Sequence, residues 1–377
     1  LVLSACAPAA TEAPAPTEAP TEAAAAPATE VAAPEPTAVP ETEEEISLVI
    51  VDGTEPAGLY PPTSTGPPGH LDYLLYDPLV GHDEQMVPDA DRGLATSWEI
   101  GDDEVTWTFH LREGVMFHDG TPFDANAVKV TLEHILDPDV GANRRSAYTV
   151  ITEINVVDPL TVELVTDGPF PDLPFLLMDR SAFIVSPTAL QEMGFEDFAR
   201  QPAGTGPFKF VEWVPNDHIS FEANPDYWRG APPADEVIYR PVPEAAVRTA
   251  MLQTGEADIA ANISPEDLES LETDPNIVVT RIDSLSQVTS EMRQTQPPFN
   301  SKEVRKAMNY AVDKESIIND IMRGVGRVAD SPGPPGVWGS VELEPYAYDP
   351  EEAVRLLTEA GYPDGLEGDL FYVSGRW

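Results

Sequence analysis

The residues of this 377-residue chain whose types could do chemistry are few and scattered. His110 and His118, with Asp119 adjacent, invite a metal reading. His70 and His82 add two imidazoles, but no carboxylate–histidine spacing of the helical zinc type accompanies them. Gly204-Thr205-Gly206 resembles a phosphate loop superficially. No Lys-Ser/Thr pair follows it and no strand-to-helix context surrounds it, so it reads as a backbone turn. A Gly-x-Ser-x-Gly elbow does not occur. The single cysteine, Cys6, allows no intrachain disulfide and no cysteine-based zinc site, and leaves no thiol nucleophile further along. Carboxylates are so abundant that a catalytic pair could always be found, which makes such a pair uninformative. The pattern points away from catalysis, with no metal and no cofactor, and towards binding.

Charge narrows what could be bound. The chain has 66 Asp and Glu against 21 Lys and Arg, a net charge of −45. A nucleic-acid grip needs clustered cations that displace counterions from phosphates, and a polybasic membrane patch needs the same. Both are excluded on this balance. Hydrophobic residues at 42% exclude a wholly disordered chain, and 40 prolines exclude a coiled coil or helical bundle. After the first residues, no run approaches the ~20 apolar residues of a membrane span.

The elements that must position any site begin after a tether. Leu1-Val2-Leu3-Ser4-Ala5-Cys6 reads as the end of an apolar signal segment (residues 1–5), and Leu3-Ser4-Ala5-Cys6 resembles the bacterial lipobox, in which the cysteine thiol is lipidated. Residues 7–45 are almost entirely Ala, Pro, Thr and Glu, with nine glutamates and no cation. Proline blocks helix propagation and like charge extends the chain, so residues 6–45 read as a lipid-anchored, solvated stalk. One acyl chain holds a membrane only marginally, so a diacylated cysteine is the physically sufficient anchor.

Order is expected from Ile46 to Val51, a β-branched strand. Leu94–Trp98 and Val105–Leu111 flank Gly101-Asp102-Asp103, a hairpin signature, with Val105, Trp107, Phe109 and Leu111 on one face. Asp124 should cap a helix reaching about Leu136, with Val128, Leu132 and Ile135 inward. Two strands follow, Ile151–Val156 and Thr161–Val165. Further on, Val304, Ala307, Met308, Ala311 and Val312 recur at helical spacing. The last helix has Asp349 at its cap, Pro350 at its first position, Glu352 at its third and Gly361 just past its end. The fold class is α/β with more than one lobe.

Several segments in order resemble the family 5 extracytoplasmic solute-binding proteins of ABC importers. They are Tyr76-Asp77-Pro78-Leu79-Val80 with Leu94-Ala95-Thr96-Ser97-Trp98; Thr108–Val115 running into Phe117-His118-Asp119-Gly120-Thr121-Pro122-Phe123; Gly204-Thr205-Gly206-Pro207-Phe208 with Asn224-Pro225-Asp226-Tyr227-Trp228; Gly255–Ile259; Val304–Asp313; and Tyr348–Glu351 through Glu359–Pro363. The resemblance spans roughly residues 46–372. Where the family often has an aromatic-Gly-Phe-Asn strand, this chain has Glu291-Met292-Arg293-Gln294 before Pro297-Pro298-Phe299.

The resemblance implies a bilobed type II clamshell, with lobe I at 46–80 and 200–275, an inserted subdomain at 81–199 and an incomplete lobe II at 276–377. It implies ligand capture between the lobes by hinge closure, of oligopeptides or another polar solute such as an oligosaccharide or a nickel complex. It places Thr63, Ser64, Thr65 and Gly66 on the lobe I loop that meets ligand, and Glu291, Arg293 and Gln294 on the hinge-side strand of lobe II. Arg376 falls where some members touch ligand. His110 and His118 fall in the strand and turn of the insert, where a structural role is expected. Trp98, Trp213 and Trp228 belong to family motifs and are expected in the core. The implied partners are a permease heterodimer with cytoplasmic ATPases and a membrane reached through the lipid alone, the protein itself being a monomer outside the cytoplasm. The rival functions are a sensory ligand-binding module and a secreted hydrolase.

Overall fold

The computed structural model describes residues 45–64, 69–282, 287–331, 333 and 340–371. The chain divides after Glu44, so all of these belong to the unit that starts at Glu45. β1 (Ser47–Asp52) is the expected β-branched run. β2 (Gly81–His82) and β3 (Pro88–Asp89) form a short ribbon. β4 (Ala95–Ile100), β5 (Thr106–Leu111), β6 (Ile151–Asp158) and β7 (Thr161–Thr166) make an antiparallel sheet in the order β4-β5-β7-β6. β8 (Phe208–Val214), β9 (His218–Ala223), β10 (Glu236–Pro241) and β11 (Ile259–Ala260) join β1 in a second sheet, ordered β11-β1-β10-β9-β8. In that sheet β1 runs parallel to both neighbours, with Ser47 opposite Glu236 and Ile50 opposite Ile259.

Local chemistry accounts for the four-stranded sheet. The Gly101 N–H donates to Thr106 O at 2.8 Å and closes the β4–β5 turn, while Asp103 Oδ1 accepts from the Thr106 N–H at 3.0 Å. The inward residues Trp107, Phe109 and Leu111 are buried, as alternation requires. The Ala125–Leu136 helix covers this sheet. Asp124 Oδ1 accepts from Asn126 N (3.0 Å) and Ala127 N (3.2 Å), and Val128, Leu132 and Ile135 are buried against the strands. A second apolar cluster, built on Tyr60, Tyr76, Phe183, Phe198, Phe221 and Tyr239, underlies the mixed sheet.

Beyond residue 276 the fold is sparser. The Lys302–Tyr310 helix is capped by Ser301 Oγ on Val304 N (3.3 Å), and the Pro350–Glu359 helix by Asp349 Oδ1 on Glu352 N (2.9 Å). The two helices bury Ala307, Ala353 and Leu356 between them. Met308 and Val312, expected on the same apolar face, are instead 39% and 40% exposed. A two-helix pair covers one stripe only, and the helix stops at Tyr310, before Val312 is reached. The strand expected to carry Glu291, Arg293 and Gln294 does not form. Residues 287–294 have no ladder partner among the described residues, and Arg293 O accepts a turn bond from the Gln296 N–H at 3.2 Å. No helix among the described residues is long and apolar enough to cross a membrane.

Candidate functional site

Of the two histidines that looked like ligands, His118 is tied into the fold. His118 Nε2 lies 2.9 Å from Gly206 O, and His118 Nδ1 accepts from the Gly204 N–H at 3.3 Å. That arrangement suits a neutral ring protonated on Nε2, and burial lowers its pKa to about 4. The Gly-Thr-Gly turn it clamps runs under the backbone of Leu75. A Cβ on Gly204 would fall 2.0 Å from Leu75 O, and one on Gly206 2.5 Å from Leu75 C. Thr205 Oγ1 donates to buried Asp77 at 2.7 Å, joined there by Tyr227 OH (2.8 Å) and Trp228 Nε1 (3.0 Å). Asp119 accepts from Ser186 and Thr121, and His110 is exposed on β5. Among the described residues no group of three or more His, Cys, Asp or Glu gathers for a metal.

The lobe I loop is similarly engaged. Thr63 Oγ1 donates to Tyr60 O at 3.4 Å, and Thr63 O accepts from Asn143 Nδ2 at 2.7 Å. The Ser64 hydroxyl hydrogen-bonds Asp72, whose carboxyl is pushed up to about 6 by burial despite Arg180 at 3.2 Å. Cys6, Thr65, Gly66 and Arg376 lie outside the described residues.

Two places offer more to a ligand. The first is the carboxyl edge of the parallel strands β1, β10 and β11, the side on which α/β sheets bind ligands. Arg248, 4% exposed, gathers its carbonyls: Nε donates to Ala261 O (3.0 Å), Nη1 to Val242 O (2.6 Å) and Pro243 O (2.9 Å), and Nη2 to Asn262 O. Asn262 Nδ2 in turn donates to buried Asp52 at 2.7 Å, and Tyr239 OH to Thr54 O. These bonds fix the loops at the strand ends before any ligand arrives. Sequence reading missed the cluster because its members come from separate segments with no shared spacing.

The second place is a cavity of about 610 Å³ between the 290–294 segment and the Lys302–Tyr310 helix. Glu291 and Gln294, both singled out in the sequence, line it; Arg293 is exposed and does not. Facing them are Lys302, Arg305, Lys306 and Asn309. The signal that could have found these was cations spaced i, i+3, i+4 in an acidic chain. A further hollow of about 540 Å³ contains Trp213 and Arg200, but these are already paired. The Arg200 guanidinium sits 4.0 Å over the Trp213 ring, and Trp213 Nε1 donates to Glu55 at 2.6 Å.

Residues 90–375 match the family model of bacterial extracellular solute-binding proteins, family 5 Middle. The chain belongs to that family. The glutathione-binding protein GsiB of Pectobacterium atrosepticum is 37% identical over 298 residues, 79% of this chain and 57% of that protein. The chain thus spans somewhat over half the length of the curated relatives it matches. Among solved family structures, the ABC transporter-associated periplasmic binding protein DppA from Helicobacter pylori, in complex with the peptide STSA, superposes with a TM-score of 0.77. It shares 29% identity, over 85% of this chain and 67% of that one. NikZ from Campylobacter jejuni, in complex with Ni(L-His), gives 0.74 at 27% identity, over 83% and 63%. The fold shared with these neighbours is the type II periplasmic-binding-protein fold expected from the sequence.

Proposed function

We propose that this chain is the solute-capturing subunit of an ABC importer. It takes up short peptides outside the cytoplasmic membrane and hands them to a permease heterodimer driven by cytoplasmic ATPases. The observation that carries this reading is the likeness to the peptide complex of DppA over 85% of the chain. Lobe I at 46–80 and 200–275, the inserted subdomain at 81–199 and lobe II from 276 are part of this reading, and the separate sheets of β1 with β8–β11 and of β4–β7 support it. Ligand touching both lobes stabilises the closed state by its differential affinity, and no bond in the ligand is made or broken. The protein acts as a monomer without cofactor, and Cys6 carries the lipid that holds it at the membrane's outer face.

Native mass spectrometry of the protein purified from its own cells tests the capture claim. Co-purified short peptides are expected, and a consistent non-peptide ligand would overturn the peptide assignment. For the anchor, Cys6→Ala behind an intact signal peptide should move the protein from the detergent phase to the aqueous phase. Unchanged partition would remove the lipid from the account.

A further inference from the structure

The described flanks of the segment between β1 and β2 are both held by residues from far along the chain. On the first flank, Thr63 and Ser64 turn back on Tyr60, whose carbonyl accepts from their N–H groups at 3.1 and 2.9 Å. Asn143 fastens this turn from outside: its N–H donates to Pro62 O at 3.0 Å and its Nδ2 to Thr63 O at 2.7 Å. On the second flank, Arg180 Nη1 lies 3.2 Å from buried Asp72, the carboxyl that also bonds Ser64. The same guanidinium lies against the backbone of Gly69, where a Cβ would fall 1.6 Å from Nη1 and 2.3 Å from Cζ. Only glycine leaves room for that approach.

The two holds are joined to each other. Arg144, next to Asn143, pairs with Asp179, next to Arg180, at 3.0 Å. Asp179 Oδ1 also accepts from the Ser181 N–H at 3.0 Å, which fixes the turn that presents Arg180. All four residues come from the 81–199 stretch, so one body holds both flanks.

Between Gly69 and Asp72 stands His70. Its ring lies 5.9 Å from that of Tyr239 on β10, whose hydroxyl donates to Thr54 O just past the end of β1. The imidazole is therefore at the carboxyl edge of the parallel strands. It is exposed, and its ring nitrogens have no hydrogen-bond partner among the described residues. Desolvation on its packed side lowers its pKa, with Asp52 opposing and Arg180 adding to the effect. At neutral pH the ring is uncharged and offers one donor and one acceptor.

We propose that the inserted subdomain takes part in solute capture by aiming His70: Arg180 and Asn143 are positioning residues, and His70 is the contact they deliver, hydrogen-bonding an amide of the solute. The proposal rests on the solute-capture reading and deepens it, because it gives the 81–199 stretch a task in recognition. A side chain held in place before the solute arrives loses little freedom on binding, so loosening its mounts costs affinity without removing a contact atom.

Calorimetry with L-alanyl-L-alanyl-L-alanine tests this. H70A should bind about three- to tenfold more weakly, the size of one neutral hydrogen bond, with an unfolding curve that overlays the parent's. R180Q leaves Asp72 buried without its cation, so R180Q/D72N, which puts two amides in place of the ion pair, is measured beside it. Both should weaken binding as much as H70A does, and N143A should weaken it less. In the H70A background R180Q/D72N should cost no further affinity, because it acts through a ring that is gone; a merely structural role would cost the same in both backgrounds. Parent-like affinity of H70A would overturn the contact, and an equal loss from R180Q/D72N with and without His70 would overturn the positioning role. Either result leaves solute capture standing. A parent that binds no tripeptide would overturn the peptide reading and this contact together, so the parent alone tells the two failures apart.

Discussion

The region from residue 45 to 275 and the region beyond 276 use their polar side chains in opposite ways. In the first, groups that look reactive in the sequence are engaged in holding the fold. His118 clamps the Gly204–Gly206 turn, Asp77 collects Thr205, Tyr227 and Trp228, and Arg248 gathers the carbonyls at the parallel edge. Beneath them lie fully buried aromatics such as Phe109, Tyr76 and Tyr239. In the second, the core is Ala307, Ala353 and Leu356, large apolar residues such as Val278 and Phe371 are 90% exposed, and the basic face of the Lys302–Tyr310 helix forms no ion pair among the described residues. A buried polar group left unpaired is costly, so dense packing leaves little polar chemistry over for a ligand. Recognition groups are to be sought where packing is thin or where strand ends open.

The sharpest way to break this contrast is a pair of matched truncations. Phe109→Ala should cost about 3–5 kcal/mol, because a fully buried ring leaves a cavity that the surrounding sheet cannot fill. Phe371→Ala should fall within about 0.5 kcal/mol of the parent. Denaturant unfolding reads both, and comparable losses at the two positions would remove the distinction.

A smaller, sharper test uses pH. His118 is held neutral, with its pKa near 4 against 6.5 for a free imidazole. Below pH 6.5 the unfolded chain takes up a proton that the folded chain refuses, so this contribution is full above 6.5 and is lost as pH falls towards 4. Asp72 acts in the other direction: its folded pKa, near 6 against 3.8, makes the folded state the better proton binder between those values, so acidification stabilises it. His118→Gln should flatten the stability loss between pH 6.5 and 4, and Asp72→Asn should steepen the loss below pH 6. Profiles of both variants parallel to the parent's would show that these groups do not differ between the folded and unfolded states.

Much of the fold was legible where its signals are local. The hairpin at Gly101-Asp102-Asp103 and the caps at Asp124 and Asp349 announce their elements within a few residues, and each forms as read. The pairing of β1 with β10 is different, since Ser47 meets Glu236 across most of the chain and nothing near either residue specifies it. The 302–312 stretch shows how a correct period can mislead. Its apolar spacing located the helix, but weight on Met308 and Val312 hid the basic stripe on the opposite face. Of the candidate contacts, Glu291 and Gln294 line the cavity although the strand expected to carry them does not form. Thr63 and Ser64, which the resemblance places on the ligand-facing loop, turn their hydroxyls to Tyr60 O and Asp72.

Hydrogen exchange with and without L-alanyl-L-alanyl-L-alanine tests most directly whether ligand acts on the thinly packed region while the dense one serves as scaffold. Amides of 287–310 should slow when the tripeptide is present, and those at the strand ends 52–54 and 260–262 should slow to a lesser degree. Exchange in β5 and β7, already protected by the packed sheet, should stay as it was. Protection confined to β4–β7, with 287–310 unchanged, would contradict the account.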